Sequence, residues 1–322
     1  MNSNRFPVAP ILITSLITSL LWLAPLISRA DGPPANAKGN AATVAAAKAF
    51  LTALDAPTRA KALFAFDNEP QRKRWSNLPT GLYQRAGLRL GDLTKTQRDA
   101  AMALLAAALS KSGYEKVVGI MEGDETLRKG GGGRLIFGRD EYYLSLLGAP
   151  SLKEPWSIQF GGHHLALNIT LADERGTLAP SHTAAQPAKF TLDGKVVRPL
   201  GEENDQAFAL INALDETQRK QAILGAQFRD LVLGPGHEGK TIMPEGVKAA
   251  TFDEKQRTLL LGLIRQWVGI LHDNATDPKM AEIKAGLEVS AAARKRWKSG
   301  GLKIRSVCAG VQRKRPRVQG GC

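Results

Sequence analysis

The chain has 322 residues, a net charge of +14 and two cysteines. This length suffices for one large or two ordinary domains with a sizeable core. Both cysteines, Cys308 and Cys322, lie close to the end of the chain. The sequence before them therefore excludes a disulfide framework, a thiolate metal site and a cysteine nucleophile.

The positive charge is concentrated at the end of the chain. Ten Lys and Arg residues and no acidic residue lie between Val289 and Cys322. Two further arginines lie within residues 1–30, which leaves a charge of only +2 for the intervening body. A nearly neutral body gives no reason to expect specific nucleic-acid binding. We predict that residues 288–322 form a basic tail that is disordered or non-native.

The first 30 residues have the pattern of a secretory signal peptide. Arg5 precedes an apolar run, Ile11–Ile27, which ends in the small-x-small sequence Ser28-Arg29-Ala30. We predict cleavage after Ala30, export to the periplasm or the medium, and a mature chain without a transmembrane span. An uncleaved anchor stays an alternative, because the run approaches the length of a spanning helix. Residues 31–44 are expected to form a flexible leader.

The periodicity of the body predicts an α+β fold in one domain, residues 45–287. A helical module over 45–127 precedes a mostly antiparallel sheet over 134–200, and a second helical module covers 202–287. The predicted helices are Ala41–Phe66, Lys95–Ser110, Glu115–Leu127, Glu202–Leu224, Asp253–His272 and Pro278–Leu287. The predicted strands are Arg134–Phe137, Tyr142–Leu147, Trp156–Phe160, His163–Leu171 and Phe190–Val197.

The two helical modules share a sequence pattern. Ala53-Leu54-Asp55 with Arg59 recurs as Ala213-Leu214-Asp215 with Arg219, at an offset of 160 residues. Gln97-Arg98 recurs as Gln256-Arg257, at an offset of 159. This nearly constant register predicts two related modules flanking the sheet. Coincidence among helices of similar composition is the alternative.

Two adjacent histidines are the main candidates for a functional site. If they belong to a strand with the alternating residues Leu165–Ile169, their side chains point to opposite faces. His163 then lies on the core side. His164 lies with Asn168 on the more polar side, where it can meet solvent, metal or substrate.

The body contains a series of short motifs: Arg74-Trp75, Leu78-Pro79, Arg85-x-Gly87-Leu88, Gly113-Tyr114, Tyr142-Tyr143, Pro155-Trp156, Gln186-Pro187-Ala188 and, most specifically, Gly162-His163-His164-Leu165-x-Leu167-Asn168. Together, over roughly residues 45–287, they resemble the domain-of-unknown-function family numbered 3500, a set of mostly exported bacterial proteins. The family has no established activity. Its members typically continue into a late His-x-His followed by Arg-Asp, which this chain lacks. We therefore interpret the family's C-terminal part as missing or replaced.

The resemblance implies that His164, alone or with His163, would join the late His-x-His pair. Because imidazole is a common ligand of zinc and copper, a metal-binding protein or metal-dependent enzyme is one hypothesis. Glu122 is a candidate carboxylate beside the site. The alternatives are that both histidines are structural, and that the protein is a non-catalytic ligand-binding or envelope-associated module. Whether the protein is an enzyme is left open.

Overall fold

The computed structural model describes residues 39–131, 135–225 and 231–297, with side chains described up to residue 287. The predicted signal peptide, most of the predicted leader and the predicted tail beyond Trp297 lie outside these ranges. Among the described residues, no helix has the length and apolar character needed to cross a membrane.

The first helical module contains five helices, four of which begin at a side-chain cap. The side chains of Asp55, Asn68, Thr94 and Ser110 accept backbone N–H groups of the following turn. The cap at Asp55 divides the helix predicted over Ala41–Phe66 in two. The helices are α1 (Asn40–Thr52), α2 (Ala56–Ala62), α3 (Glu69–Arg72), α4 (Lys95–Ala108) and α5 (Lys111–Lys129).

The central sheet has six strands and is mostly antiparallel, as predicted. Its strands are β1 (Leu63–Phe64), β2 (Leu88–Arg89), β3 (Tyr143–Leu147), β4 (Trp156–Gly162), β5 (Leu165–Ala172) and β6 (Arg175–Thr183). The order is β1-β3-β4-β5-β6, with β2 also pairing with β3, and only β1 runs parallel to its neighbour. The segment Phe190–Val197, predicted as one strand, is a separate hairpin of β7 (Phe190–Leu192) and β8 (Lys195–Val197).

One further strand prediction is wrong, and one strand was not predicted. Residue 134 lies outside the described ranges, and the rest of the predicted strand Arg134–Phe137 contributes only an isolated bridge between Ile136 and Thr80. Strand β6 was not predicted, because most of its side chains are exposed or partly exposed. It therefore lacks the apolar alternation by which a half-buried strand is recognised.

The two faces of the sheet differ in polarity. One face contributes Ile158, Phe160, Leu165, Leu167 and Ile169 to a core shared with α1, α4 and α5. The other face carries polar cross-strand pairs, in which Ser157 bonds to Thr170 and Gln159 to Asn168. Alternation along β4 and β5 thus determines which face packs on the helices.

In the described part of the second module there are four α-helices and few fully buried apolar side chains. The helices are α6 (Gly201–Ala213), α7 (Glu216–Ala222), α8 (Glu254–Val268) and α9 (Asp273–Trp297). The buried residues of α6, α7 and α8 are Glu203, Gln218 and Gln256, respectively. The backbone of α9 extends well beyond the predicted helix Pro278–Leu287, into the segment predicted as tail.

Equivalent side chains of the two modules make equivalent hydrogen bonds. In each module an arginine of the second helix and a glutamine of a capping box donate to the end of the first helix. The matching bonds are Arg59 to the carbonyl of Leu54 (2.9 Å) and Arg219 to that of Leu214 (3.0 Å), then Gln97 to Ala53 (3.3 Å) and Gln256 to Ala213 (2.9 Å). The prediction of two related modules is confirmed by this shared geometry.

The modules meet where each passes from its capped long helix into the next one. Leu109, after α4, forms an antiparallel bridge with Leu271, after α8. Beside it, Nε2 of His272 lies 3.0 Å from Oδ1 of Asn40 at the start of α1. The two modules are thus joined through equivalent connections.

Candidate functional site

His163 and His164 form the two-residue turn of the hairpin between β4 and β5. They are not strand residues, so the prediction that their side chains point to opposite faces is wrong. The φ angle of His164 is 63°, in the left-handed region that side chains other than Gly, Asn and Asp rarely adopt. Such a conformation persists only where the surrounding structure enforces it.

Three segments hold this turn by its backbone. The N–H of His164 donates to the carbonyl of Asn77 (3.0 Å), and the carbonyl of His164 accepts from the N–H of Ala184 (2.8 Å). Arg85 donates through Nη2 to the carbonyl of Gly162 (2.8 Å), just before the turn. These bonds fix the positions of both imidazoles.

His163 is buried and paired with a carboxylate. Its Nδ1 lies 2.7 Å from Oδ1 of Asp124 on α5, and both side chains are less than a tenth exposed. The other oxygen of Asp124 accepts the N–H of Gly138 at 2.9 Å. The hydroxyl of Tyr142 donates to the carbonyl of His163 at 2.9 Å, and the ring of Phe137 packs at 4.9 Å.

The carboxylate sets the tautomer of His163. An ionised carboxylate only accepts hydrogen bonds, so Nδ1 carries a proton and donates a hydrogen bond to Asp124. In the neutral ring the lone pair is then on Nε2, which has no hydrogen-bond partner among the described residues. A histidine held in this way is a potential metal ligand or proton acceptor.

The ring of His164 lies against that of His163. The ring centroids are 3.8 Å apart and the planes are tilted by 30°. Nε2 of His164 lies 3.0 Å from Oε1 of Gln186. The pKa of His164 is lowered, first by desolvation and further by the neighbouring His163, while the bond to Gln186 opposes this shift. The two histidines therefore form one site.

A third histidine lies close to the pair. His182 on β6 is the strand partner of Ala166, two residues after His164. Its Nε2 is buried and has no hydrogen-bond partner in the described part of the chain. Desolvation, followed by the nearby His164, lowers the pKa of His182.

The two other predicted site residues do not contact the histidines. Glu122 lies on α5 and forms an ion pair with Arg139 at 3.1 Å. Asn168 lies on the polar face of the sheet, where its amide donates to the carbonyl of Pro180 (2.8 Å) and accepts from Gln159 (2.9 Å). The carboxylate beside His163 is that of Asp124.

The role of Asp124 could have been found in the sequence. The buried stripe of α5 includes Val117, Ile120 and Met121, and Asp124 continues it at helical spacing. A carboxylate in such a stripe needs a buried partner. Arg85 gave no comparable signal, since its contacts come from distant segments. His182 was missed together with β6.

The described residues do not provide a complete metal centre. Within residues 39–131, 135–225 and 231–287, no group of three or more His, Cys, Asp or Glu side chains is arranged to hold a metal ion. The histidine pair brings two imidazoles together, and Asp124 contacts one of them, His163.

Comparison with known proteins identifies one match. The family model described as protein of unknown function (DUF3500) matches residues 36–292, which cover the histidine turn, the sheet and most of both modules. No curated protein and no solved structure matches the chain.

Proposed function

The chain belongs to the DUF3500 family, and because the family description supplies no activity, we propose from the site itself that the protein binds a divalent transition metal ion, zinc or copper. The two imidazoles of the β4–β5 turn are the proposed ligands. The observation that carries the proposal is the 2.7 Å contact between Asp124 and Nδ1 of His163, which leaves Nε2 available.

This arrangement is typical of histidines that bind metals. A metal-ligating histidine usually donates its second ring N–H to a carboxylate, which fixes the ring and makes the ligating nitrogen more basic. The adjoining ring of His164 supplies a second nitrogen on the same turn. With only two protein ligands, the remaining positions of the ion would be taken by water or a bound ligand. An ion with such open positions can polarise a ligand as a Lewis acid.

Titration calorimetry of zinc and copper into chelator-treated protein tests the proposal. We expect His163→Gln and His164→Gln each to lose binding, and Asp124→Asn to weaken it about 10- to 100-fold as a supporting residue. His237→Gln is the matched control, because His237 is a partly exposed histidine outside the site. Unchanged affinity in the His163/His164 double variant would contradict the proposal.

A metal-free ligand-binding module is the second candidate function. It is favoured by Arg85, whose Nη1 is buried without a hydrogen-bond partner among the described residues. The same titration separates the two functions, since this module would show no histidine-dependent metal binding. An envelope-associated role would also be compatible with such a module.

We also propose that the protein is exported and cleaved after Ala30. The support is the charged start, the apolar run and the small-x-small sequence of residues 1–30. Mass spectrometry of the protein from the periplasm and the medium would give the mature N-terminus. An intact Met1 in membrane fractions would favour the anchor instead.

A further inference from the structure

A large cavity lies between the two modules, away from the histidine turn. It has a volume of about 490 Å³, within the range of small-molecule sites. Its walls come from the first half of α5, the start of α6 with the residues before it, and the junction of α8 and α9. Lys116 in this wall and Asp124 at the histidine site are separated by roughly 12 Å along α5.

The floor of the cavity is a buried ion pair. Nζ of Lys116 lies 2.5 Å from Oε1 of Glu203, and the two side chains are 10% and 7% exposed. Lys116 also donates to the carbonyl of Gln266 at 2.7 Å. Both carboxylate oxygens of Glu203 are buried, and neither accepts a hydrogen bond of normal geometry from the described residues.

Such a pair is incompletely stabilised. A buried ion pair offsets its desolvation only when further hydrogen bonds satisfy the remaining lone pairs. Oε2 of Glu203 has neither a hydrogen bond nor an ion-pair contact among the described residues. The carboxylate therefore has unused acceptor capacity where Glu203 lines the cavity.

The related first module shows that helix packing alone does not require this charge. At the offset of 160, Thr43 on α1 is the counterpart of Glu203 on α6, and at 159 Ala107 is the counterpart of Gln266. In the first module the hydroxyl of Thr43 donates directly to the carbonyl of Ala107 at 2.9 Å. In the first module, a single neutral residue thus donates to the carbonyl that, in the second module, accepts from Lys116 of the ion pair.

The charges around the cavity favour a cation. Arg198 is paired with Asp205 at 2.7 Å and Arg265 with Asp277 at 3.0 Å. The exposed lining residues Glu202 and Asp273 have no ion-pair partner among the described residues. The charged lining residues, four acidic and three basic, consequently carry a net negative charge, although the chain as a whole is basic.

We propose that this cavity binds a small organic cation that carries primary ammonium groups, of the alkyl diamine class. One ammonium donates to Glu203 and supplies the hydrogen bonds that this carboxylate lacks. The second ammonium faces Glu202 and Asp273 at the rim. The proposed site is separate from the histidine turn and does not depend on metal binding there.

Calorimetric titration with 1,4-diaminobutane tests this site, with 1,4-butanediol as the uncharged probe of similar length. We expect the diamine to bind, the diol not to bind, and the affinity for the diamine to fall with added salt. Glu203→Gln should raise the dissociation constant about 10- to 100-fold, as expected for a lost hydrogen bond to a charged group. Glu216→Gln, at an exposed glutamate of α7, should leave it unchanged.

A second variant covers the case in which Glu203→Gln does not fold because Lys116 is left unpaired. Glu203→Thr combined with Lys116→Met removes both charges and introduces the threonine of the first module. Circular dichroism should show a folded protein that does not bind the diamine but still binds metal as the wild type does. Diamine binding by this variant, equal binding of the diol, or no binding by the folded wild type would overturn the proposal.

Discussion

His272 links the two modules through its hydrogen bond to Asn40. Asn40 donates through its amide nitrogen to the carbonyl of Arg175, so its Oδ1 faces His272 and accepts from Nε2–H. Nδ1 of His272 is buried and has no hydrogen-bond partner among the described residues. Protonation of Nδ1 would bury a donor without an acceptor, and desolvation accordingly lowers the pKa of His272.

The lowered pKa predicts a pH-dependent stability. The folded protein resists protonation of His272, whereas the unfolded chain takes up the proton near pH 6.5. The free energy of unfolding should therefore fall as the pH drops below about 6.5 towards the folded pKa. His272→Gln should remove part of this fall in urea unfolding measured at several pH values between about 5 and 8. Parallel pH profiles for both proteins would refute this assignment to His272.

Individual residues also show where sequence reasoning succeeded and failed. The burial of His163 and the partial exposure of His164 were predicted correctly, although the strand argument behind them was wrong. The left-handed φ of His164 makes the turn, and tertiary contacts with Asn77 and Ala184 enforce it. Sequence patterns usually mark such a position by glycine or asparagine, so this turn carried no local signal.

At the scale of elements, α5 connects the cavity with the histidine turn. It carries Lys116 at the cavity and Asp124 at the histidine turn, and it approaches the second module closely at Gly113. A Cβ atom at Gly113 would lie 2.2 Å from the carbonyl oxygen of Ile270. At Gly119, two turns further on, the nearest atom would be 3.4 Å away, on Pro199.

Alanine at these two glycines of α5 should have opposite effects. Gly113→Ala should lower the free energy of unfolding by about 2 kcal/mol or more, because helix α5 must move away from a backbone carbonyl. Gly119→Ala should raise it by about 0.5–1 kcal/mol, since alanine favours the helix and has room. Urea unfolding of both variants measures the difference. A stabilised Gly113→Ala protein would mean that Gly113 does not pack closely against the carbonyl of Ile270.

The helices and strands that were predicted well are those with strong local sequence signals. Helix α4 and strand β3 agree with the sequence prediction within two residues at each end, because a capping box starts the helix and buried apolar residues mark the strand. Strand β6 and the break at Asp55 were missed, since an exposed edge strand and a short helix give weak periodicity.

For the whole molecule, the repeat with offsets of 159 and 160 was the most informative sequence feature. It predicted the arrangement of both modules around the sheet, but it could not predict how differently they are packed. Phe50, in α1, is fully buried. In the second module Phe208 and Ile223 are each 60% exposed, and the long helix α8 buries Gln256.

This difference predicts that equivalent glutamines have unequal importance. Gln256 is 5% exposed, and its amide bonds to Gln218, Ala213 and Asp253, so Gln256→Ala leaves several buried groups unpaired. We expect it to lower the free energy of unfolding by about 2–3 kcal/mol.

Gln97→Ala is the matched comparison, at the same position of the first module. Gln97 is partly exposed and makes fewer bonds, so the loss should be about 1 kcal/mol. Urea unfolding of both variants measures the two losses in the free energy of unfolding. Equal losses would show that buried polar contacts do not hold the second module together.

The exchange of Thr43 in one module for Glu203 in the other has a consequence for the history of the chain. When a segment is duplicated, one copy can keep the original packing contact, while the other copy can accept substitutions that would have destabilised the single segment. Here the first module has a neutral hydroxyl at this position, and the second has a buried charge beside an open cavity. Duplication thus provides a route by which a packing position becomes a recognition position without loss of the original fold.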